Sequence, residues 1–241
     1  MIPIGDDVPK QRYPLITNIL IALNVFFFFV ELMQGPQLQE FIQTWGLVPA
    51  KLMQWQQNPW VLITLITSMF LHGGWGHLIG NMLYLHVYGQ SVEDALGYGK
   101  YLAFYMICGI AGGLLHAVLN PESTIPTVGA SGAISGVLGG YLVLFPRANV
   151  FLLVPMFFWF PVVALPATFV LTWWFLFEFL GGITLLALPE AMQQGGVAHW
   201  AHVGGFVAGF LLVYPLRDRL RKQYFKYLGR PYRRMKAHAP L

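Results

Sequence analysis

Apolar residues in this chain run on in stretches of about 20, the length that crosses a hydrocarbon core. Six such stretches fall at about 15–33, 69–90, 101–119, 130–145, 161–180 and 198–214, separated by polar or proline-containing segments. The pattern predicts an all-α polytopic membrane protein, a bundle of six transmembrane helices. Residues 34–60 hold Pro36, Trp45, Pro49, Trp55 and Trp60 among glutamines, too polar to cross lipid and too aromatic for a free loop. They read as a structured first outer loop lying at the interface, where Trp is enriched. The apolar segment 146–160 is broken by Pro146 and Pro155 and reads as a re-entrant or interfacial turn. The organisation is then a cytoplasmic tail (1–13), a membrane domain (14–215) and a basic cytoplasmic tail (216–241).

Composition supports this. The chain is 56% hydrophobic and only 10% charged, where a soluble domain carries about a quarter charged residues. One cysteine, Cys108, excludes an internal disulfide framework. The first apolar run is too long and too poorly terminated for a cleavable signal peptide. Lys10, Arg12, Lys100, Arg147 and nine Lys and Arg of the tail face one compartment, and only Lys51 the other. By the positive-inside rule both termini are cytoplasmic. The basic tail acts as a topology determinant and also attracts anionic lipid.

Three polar clusters interrupt the apolar runs. Ser131 sits in Gly129-Ala130-Ser131-Gly132 at the start of span four, His77 and Asn81 lie in the outer half of span two, and His202 lies near the start of span six. The even-numbered spans all enter from outside, so the four residues share a shallow depth. Ionisable residues at membrane depth usually face the bundle interior and mark function. Ser131, Ser135 and Gly139 share one face of span four, and His202, Gly205 and Gly209 one face of span six. Small residues let helix backbones approach, so packing of these faces brings the Ser131 hydroxyl to the His202 imidazole. Such an imidazole takes the hydroxyl proton during attack and returns one to the leaving group. His77 and Asn81, one turn apart, and the Ser131 backbone N–H are candidate oxyanion donors. No acid stands where it would orient His202, so the reading is a dyad. Taken alone, GASG also fits a structural packing motif.

At these residues the chain resembles the rhomboid family of intramembrane serine proteases. The matching stretches are SMFLHGGWGHLIGNMLYL (68–85), GASGAISG (129–136) and AHVGGFVAG (201–209), with softer matches at WGLVPA (45–50) and FPRANV (145–150). The resemblance implies Ser131 as nucleophile, His202 as general base, His77 and Asn81 lining the oxyanion hole, and transmembrane proteins as substrates. It implies no cofactor and no metal. Two departures stand out. Ile63-Thr64 occupies the place of a loop-one Trp-Arg found in many members. Ser135 replaces an aromatic that in some members stacks on the base.

Other candidates have plainer readings. His72 lines the cavity or caps loop one, and His86 and His116 make interhelical hydrogen bonds. His199 with His77 as a metal pair is conceivable but is not adopted. Glu178 is an isolated acid that bonds to another helix or caps a loop, with no catalytic role. Span five, with Pro161, Pro166 and many large aromatics, is a lipid-facing helix or a lateral gate, in which case Ile183 to Leu188 cap the site. The rivals to a serine endopeptidase are a non-proteolytic relative that binds transmembrane segments and a small-solute transporter with histidine proton relays. A prokaryotic inner membrane is expected, membrane lipids are partners, no nucleic-acid partner is expected, and the oligomeric state is open.

Overall fold

The computed structural model describes residues 1–187 and 196–227. Leu188 of the expected cap and the tail's basic residues from Arg230 onward lie outside the described residues. In order the elements are β1 (Ile2–Asp6), α1 (Leu15–Met33), α2 (Leu38–Trp45), α3 (Pro49–Leu52), α4 (Thr64–Thr67), α5 (Trp75–Tyr84) and α6 (Gln90–Leu96). There follow α7 (Tyr98–Leu119), α8 (Ser131–Leu144), β2 (Asn149–Leu153), β3 (Val162–Pro166), α9 (Ala167–Ala187), α10 (His199–Val213) and α11 (Arg217–Tyr227). Short 3₁₀ turns join several of them, and one π-helical turn (Leu85–Gly89) links α5 to α6.

Four helical runs are long and apolar enough to cross a membrane, and a fifth if the bent pair Pro59–Phe70 and Trp75–Leu96 counts as one span. The chain is thus an integral, multi-pass membrane protein. The second span starts at Trp75 rather than 69, because the chain turns by 81° there and Gly74 takes a φ of 151°. The stretch at the fourth position forms only the 14 residues of α8.

The centre of the molecule is α8, with twelve of its residues buried. It packs most extensively against α10, and both pack against α7. A helix buried all round needs no amphipathic stripe, and glycines govern its approach. A Cβ on Gly205 would meet the Gly132 carbonyl oxygen, and one on Gly209 the Gly136 oxygen, both closer than 3.0 Å. The α8 face that meets α10 is therefore Gly132, Gly136 and Gly139, one position round from the expected Ser131 and Ser135.

The protein is not purely helical. β1, β2 and β3 form an antiparallel sheet in that order, with Ile2 opposite Leu153 and Val150 opposite Leu165. The expected turn at 146–160 is thus mostly a hairpin, and the expected N-terminal tail supplies its outer strand. Asp7 fixes the tail there by accepting from the Asn149 backbone N–H (2.9 Å) and side-chain amide (2.8 Å). The hairpin tip exposes Phe157, Phe158, Trp159 and Phe160. Span five does not begin at 161. Val162–Pro166 is strand, since proline and the residue before it disfavour helix, and α9 runs from Ala167 to Ala187. Gly181 and Gly182, expected in a loop, lie inside α9, where they make room for the rings of His199 and Trp200.

The same end, where Ser91 and Tyr141 donate to Asp6 of β1, is also tied by charge. Glu93 of α6 accepts from the backbone N–H of Ile16 and Thr17 (both 2.8 Å) and from the Thr17 hydroxyl (2.6 Å), satisfying the orphan donors of α1. Arg221 of α11 donates to the Val143 and Leu144 carbonyls at the end of α8. Leu220 and Tyr224 are buried, so this part of the tail is packed rather than solvated.

Candidate functional site

Helix α5, the N-terminal ends of α8 and α10 and one face of α9 converge on one cavity of about 710 Å³, lined by His77, Asn81, Ser131, Trp174, Glu178 and His202 among others. Ser131 is the first residue of α8, so its side chain points off a helix start whose first backbone N–H groups have no partner within the helix. Gly129 just before it has a φ of 130° and hydrogen-bonds through its N–H to the Ser68 carbonyl (2.9 Å). A Cβ there would fall 2.7 Å from His77 Nε2 and 3.5 Å from Ser131 Oγ. Glycine is required at this position both by the backbone conformation and by the imidazole packed over it.

Ser131 Oγ and His202 Nε2 lie 2.7 Å apart. The close α8–α10 approach sets this distance, since His202 and Gly205 are one turn apart on α10. His202 Nδ1 lies 2.8 Å from Glu178 Oε2, and His199 Nδ1 lies 2.7 Å from the same oxygen. An ionised carboxylate only accepts, so each Nδ1 carries a hydrogen. Neutral His202 then has its lone pair on Nε2, facing the serine hydroxyl.

Of its two expected readings Glu178 takes the bond to another helix, and the expectation that no acid stands beside His202 is overturned. Glu178 lies 24 residues from His202 on another helix, so no sequence spacing links them. The signal available was a lone acid in an apolar span, which calls for a partner. The ring beside His202 comes from the same helix: Trp174 sits 6.0 Å away, tilted by 34°. Ser135, at the position of the absent aromatic, donates instead to the Ser131 carbonyl (2.6 Å).

His77 Nδ1 accepts from the Gly73 N–H (3.3 Å), which leaves a neutral ring's hydrogen on Nε2, the nitrogen that faces Gly129. Asn81, one turn on, is 8% exposed, and its amide nitrogen has no hydrogen-bond partner. A buried donor left unpaired is costly and rare, and this one belongs to a cavity-lining side chain.

Of the remaining histidines, His116 and His199 also line the cavity, while His72 and His86 do not. His72 is buried outside the cavity lining, edge-on to His77 at 5.1 Å, with its backbone N–H held by the Glu31 carboxylate at 3.0 Å. His86 is exposed and bonds Gln90 on its own helix, while His116 bonds Thr127 of the following loop (2.9 Å). Neither makes the interhelical bond expected of it: partners nearby in sequence satisfy both rings. His199 pairs with Glu178.

Among known protein families, residues 59–219 match the one described as Rhomboid domain. The chain is 32% identical over 210 residues to Rhomboid protein 1, mitochondrial, of Saccharomyces cerevisiae, covering 85% of this chain and 54% of the relative. It is 36% identical over 130 residues to the Bacillus subtilis Rhomboid protease GluP, covering 54% of this chain and 24% of the relative. A Putative rhomboid protease YdcA of the same bacterium is 26% identical over 224 residues, covering 89% and 94%. The chain thus spans about half the length of the yeast relative and about a quarter of GluP. Relatives from mitochondria, a plant and a bacterium all match, so kinship lends no support to a prokaryotic inner membrane in particular.

Proposed function

The chain belongs to the rhomboid family, and from that premise we propose that it is an intramembrane serine endopeptidase that cleaves transmembrane proteins in or near their membrane span. The observation that carries this is the 2.7 Å approach of Ser131 Oγ to His202 Nε2, inside a cavity where an unpaired amide of Asn81 awaits an acceptor.

Ser131 Oγ attacks the scissile carbonyl while its proton passes to His202 Nε2. The carbonyl oxygen becomes an oxyanion and accepts from His77 Nε2–H, the Asn81 amide and the Ser131 backbone N–H. The C–N bond breaks as His202 returns the proton to the leaving amine. Water from the cavity then attacks the acyl-serine with His202 taking its proton, the acyl–Oγ bond breaks as His202 returns that proton to Ser131 Oγ, and the acid product leaves. No cofactor takes part.

The six-span topology belongs to the same proposal, with α8 as a short buried span and both termini cytoplasmic. The site then opens near the outer surface, and the aromatic hairpin tip lies at the cytoplasmic interface, where such residues are favoured. α9 has 11% of its apolar window buried against 28–39% for the other long apolar helices, which fits both the lipid-facing and the gate reading of span five.

The test is cleavage of a tagged single-span substrate in proteoliposomes. Wild-type cleavage, lost in both Ser131→Ala and His202→Ala with folding intact, is the expected result. A folded wild type that cleaves none of several helix-destabilised substrates and resists serine-directed fluorophosphonate overturns it, and leaves a protein that binds transmembrane segments without cutting them.

A further inference from the structure

Catalysis by the proposed dyad needs one thing that Ser131 and His202 do not supply. The imidazole must hold its hydrogen on Nδ1 and keep Nε2 aimed at the hydroxyl. A free imidazole samples both tautomers and rotates about its side-chain bonds. In this chain the expected aromatic brace from α8 is absent, because Ser135 occupies its position. The contacts that hold His202 come from α9 instead: the Glu178 carboxylate at 2.8 Å on Nδ1 and the Trp174 ring at 6.0 Å.

Resting on the protease reading, we propose that Glu178 is the positioning residue of this site, completing a Ser131–His202–Glu178 relay. Its oxygen fixes the hydrogen on Nδ1, leaves the Nε2 lone pair toward Ser131, and stabilises the imidazolium that forms when the serine proton arrives. Although it lines the same cavity, its role in catalysis is exerted through His202. His199, bonded to the same oxygen at 2.7 Å, fixes the carboxylate in turn. This is the outer-shell logic by which a carboxylate orients a working histidine.

Glu178 is on α9, the least buried of the long apolar helices among the described residues, whereas Ser131 and His202 belong to the tightly packed α8–α10 pair. The base is therefore correctly held only while α9 is seated against α10.

The experiment measures two rates on the full chain in proteoliposomes. One is labelling of Ser131 by a small fluorophosphonate, and the other is kcat and KM for a tagged single-span substrate. Glu178→Gln keeps size and polarity but offers an amide that can present a donor to Nδ1. It is expected to slow labelling and kcat by about 10-fold or more with KM nearly unchanged. Glu178→Asp keeps the charge but withdraws it by one methylene, is expected to slow both rates, and decides the matter if the Gln variant does not fold. Thr172→Val, on the same helix but exposed and outside the cavity lining, is expected to react at the wild-type rate.

An active wild type with either Glu178 variant reacting at the wild-type rate overturns the assignment. So does an equal slowing by Thr172→Val, which would make the effect one of α9 in general. A folded wild type that neither labels nor cleaves overturns the protease reading itself, and this inference with it.

Discussion

Replacing Gly205 by alanine adds one methyl at the tightest place in the fold. Its Cβ would meet the Gly132 carbonyl oxygen, with the Gly136 nitrogen close behind, and both are backbone atoms that no side-chain rotation can move. A carbon rests about 3.3 Å or more from a carbonyl oxygen, so α10 must retreat from α8 by roughly 1 Å. Such overpacking costs about 1–3 kcal/mol. Alanine in a helix recovers about 0.5–1 kcal/mol relative to glycine, so the expected net loss is about 1–2 kcal/mol. The same retreat stretches the 2.7 Å Ser131–His202 approach, and a misplacement of about 1 Å costs on the order of 100-fold in rate. Stability would be read by reversible unfolding in mixed micelles, and reactivity by fluorophosphonate labelling. Gly99→Ala is the control: Gly99 lies in the first turn of α7 with nothing within 4 Å of the added carbon, so it should hold or gain stability and label normally. If the two alanine variants behave alike, glycine-mediated contact between α8 and α10 does not set the site.

Four further outcomes follow from particular contacts. Asn81→Ala should lower kcat by about 100-fold or more, as loss of one oxyanion donor does, with stability unchanged or improved because an unpaired buried amide is removed; steady-state cleavage and unfolding read the two effects. Glu31→Ala strips the acceptor from the buried His72 N–H and should cost about 1–3 kcal/mol in unfolding assays, with Glu31→Gln losing less because one acceptor oxygen remains. Glu93→Ala leaves three donors at the start of α1 without their partner, and about 2–3 kcal/mol should be lost. Arg221→Ala uncaps the end of α8, and a loss of about 1 kcal/mol with normal labelling is expected.

Uninterrupted apolar stretches and their glycine and proline punctuation were enough to determine a multi-pass helical membrane protein. The bounds of α1, α7, α8 and α10 were legible within a few residues, because backbone groups in lipid must be satisfied within each segment. Polar residues inside apolar runs stood out for the same reason, so Ser131, His77, Asn81 and His202 could be named as candidates before any coordinates. The tertiary structure decided what depends on partners distant in the chain. Strand β1 is held by residues about 145 positions away through cross-strand pairing and Asp7, and nothing local distinguishes it from a tail. The α8 face that meets α10 was misjudged by one position, since every residue from Ser131 to Gly136 except Ile134 is small and only backbone-to-backbone packing selects the glycines. Glu178 looked solitary because its helix contributes one acid to an apolar run. It becomes the partner of two histidines only when α9 and α10 lie side by side, since a hydrogen bond depends on distance in space and carries no trace of separation along the chain.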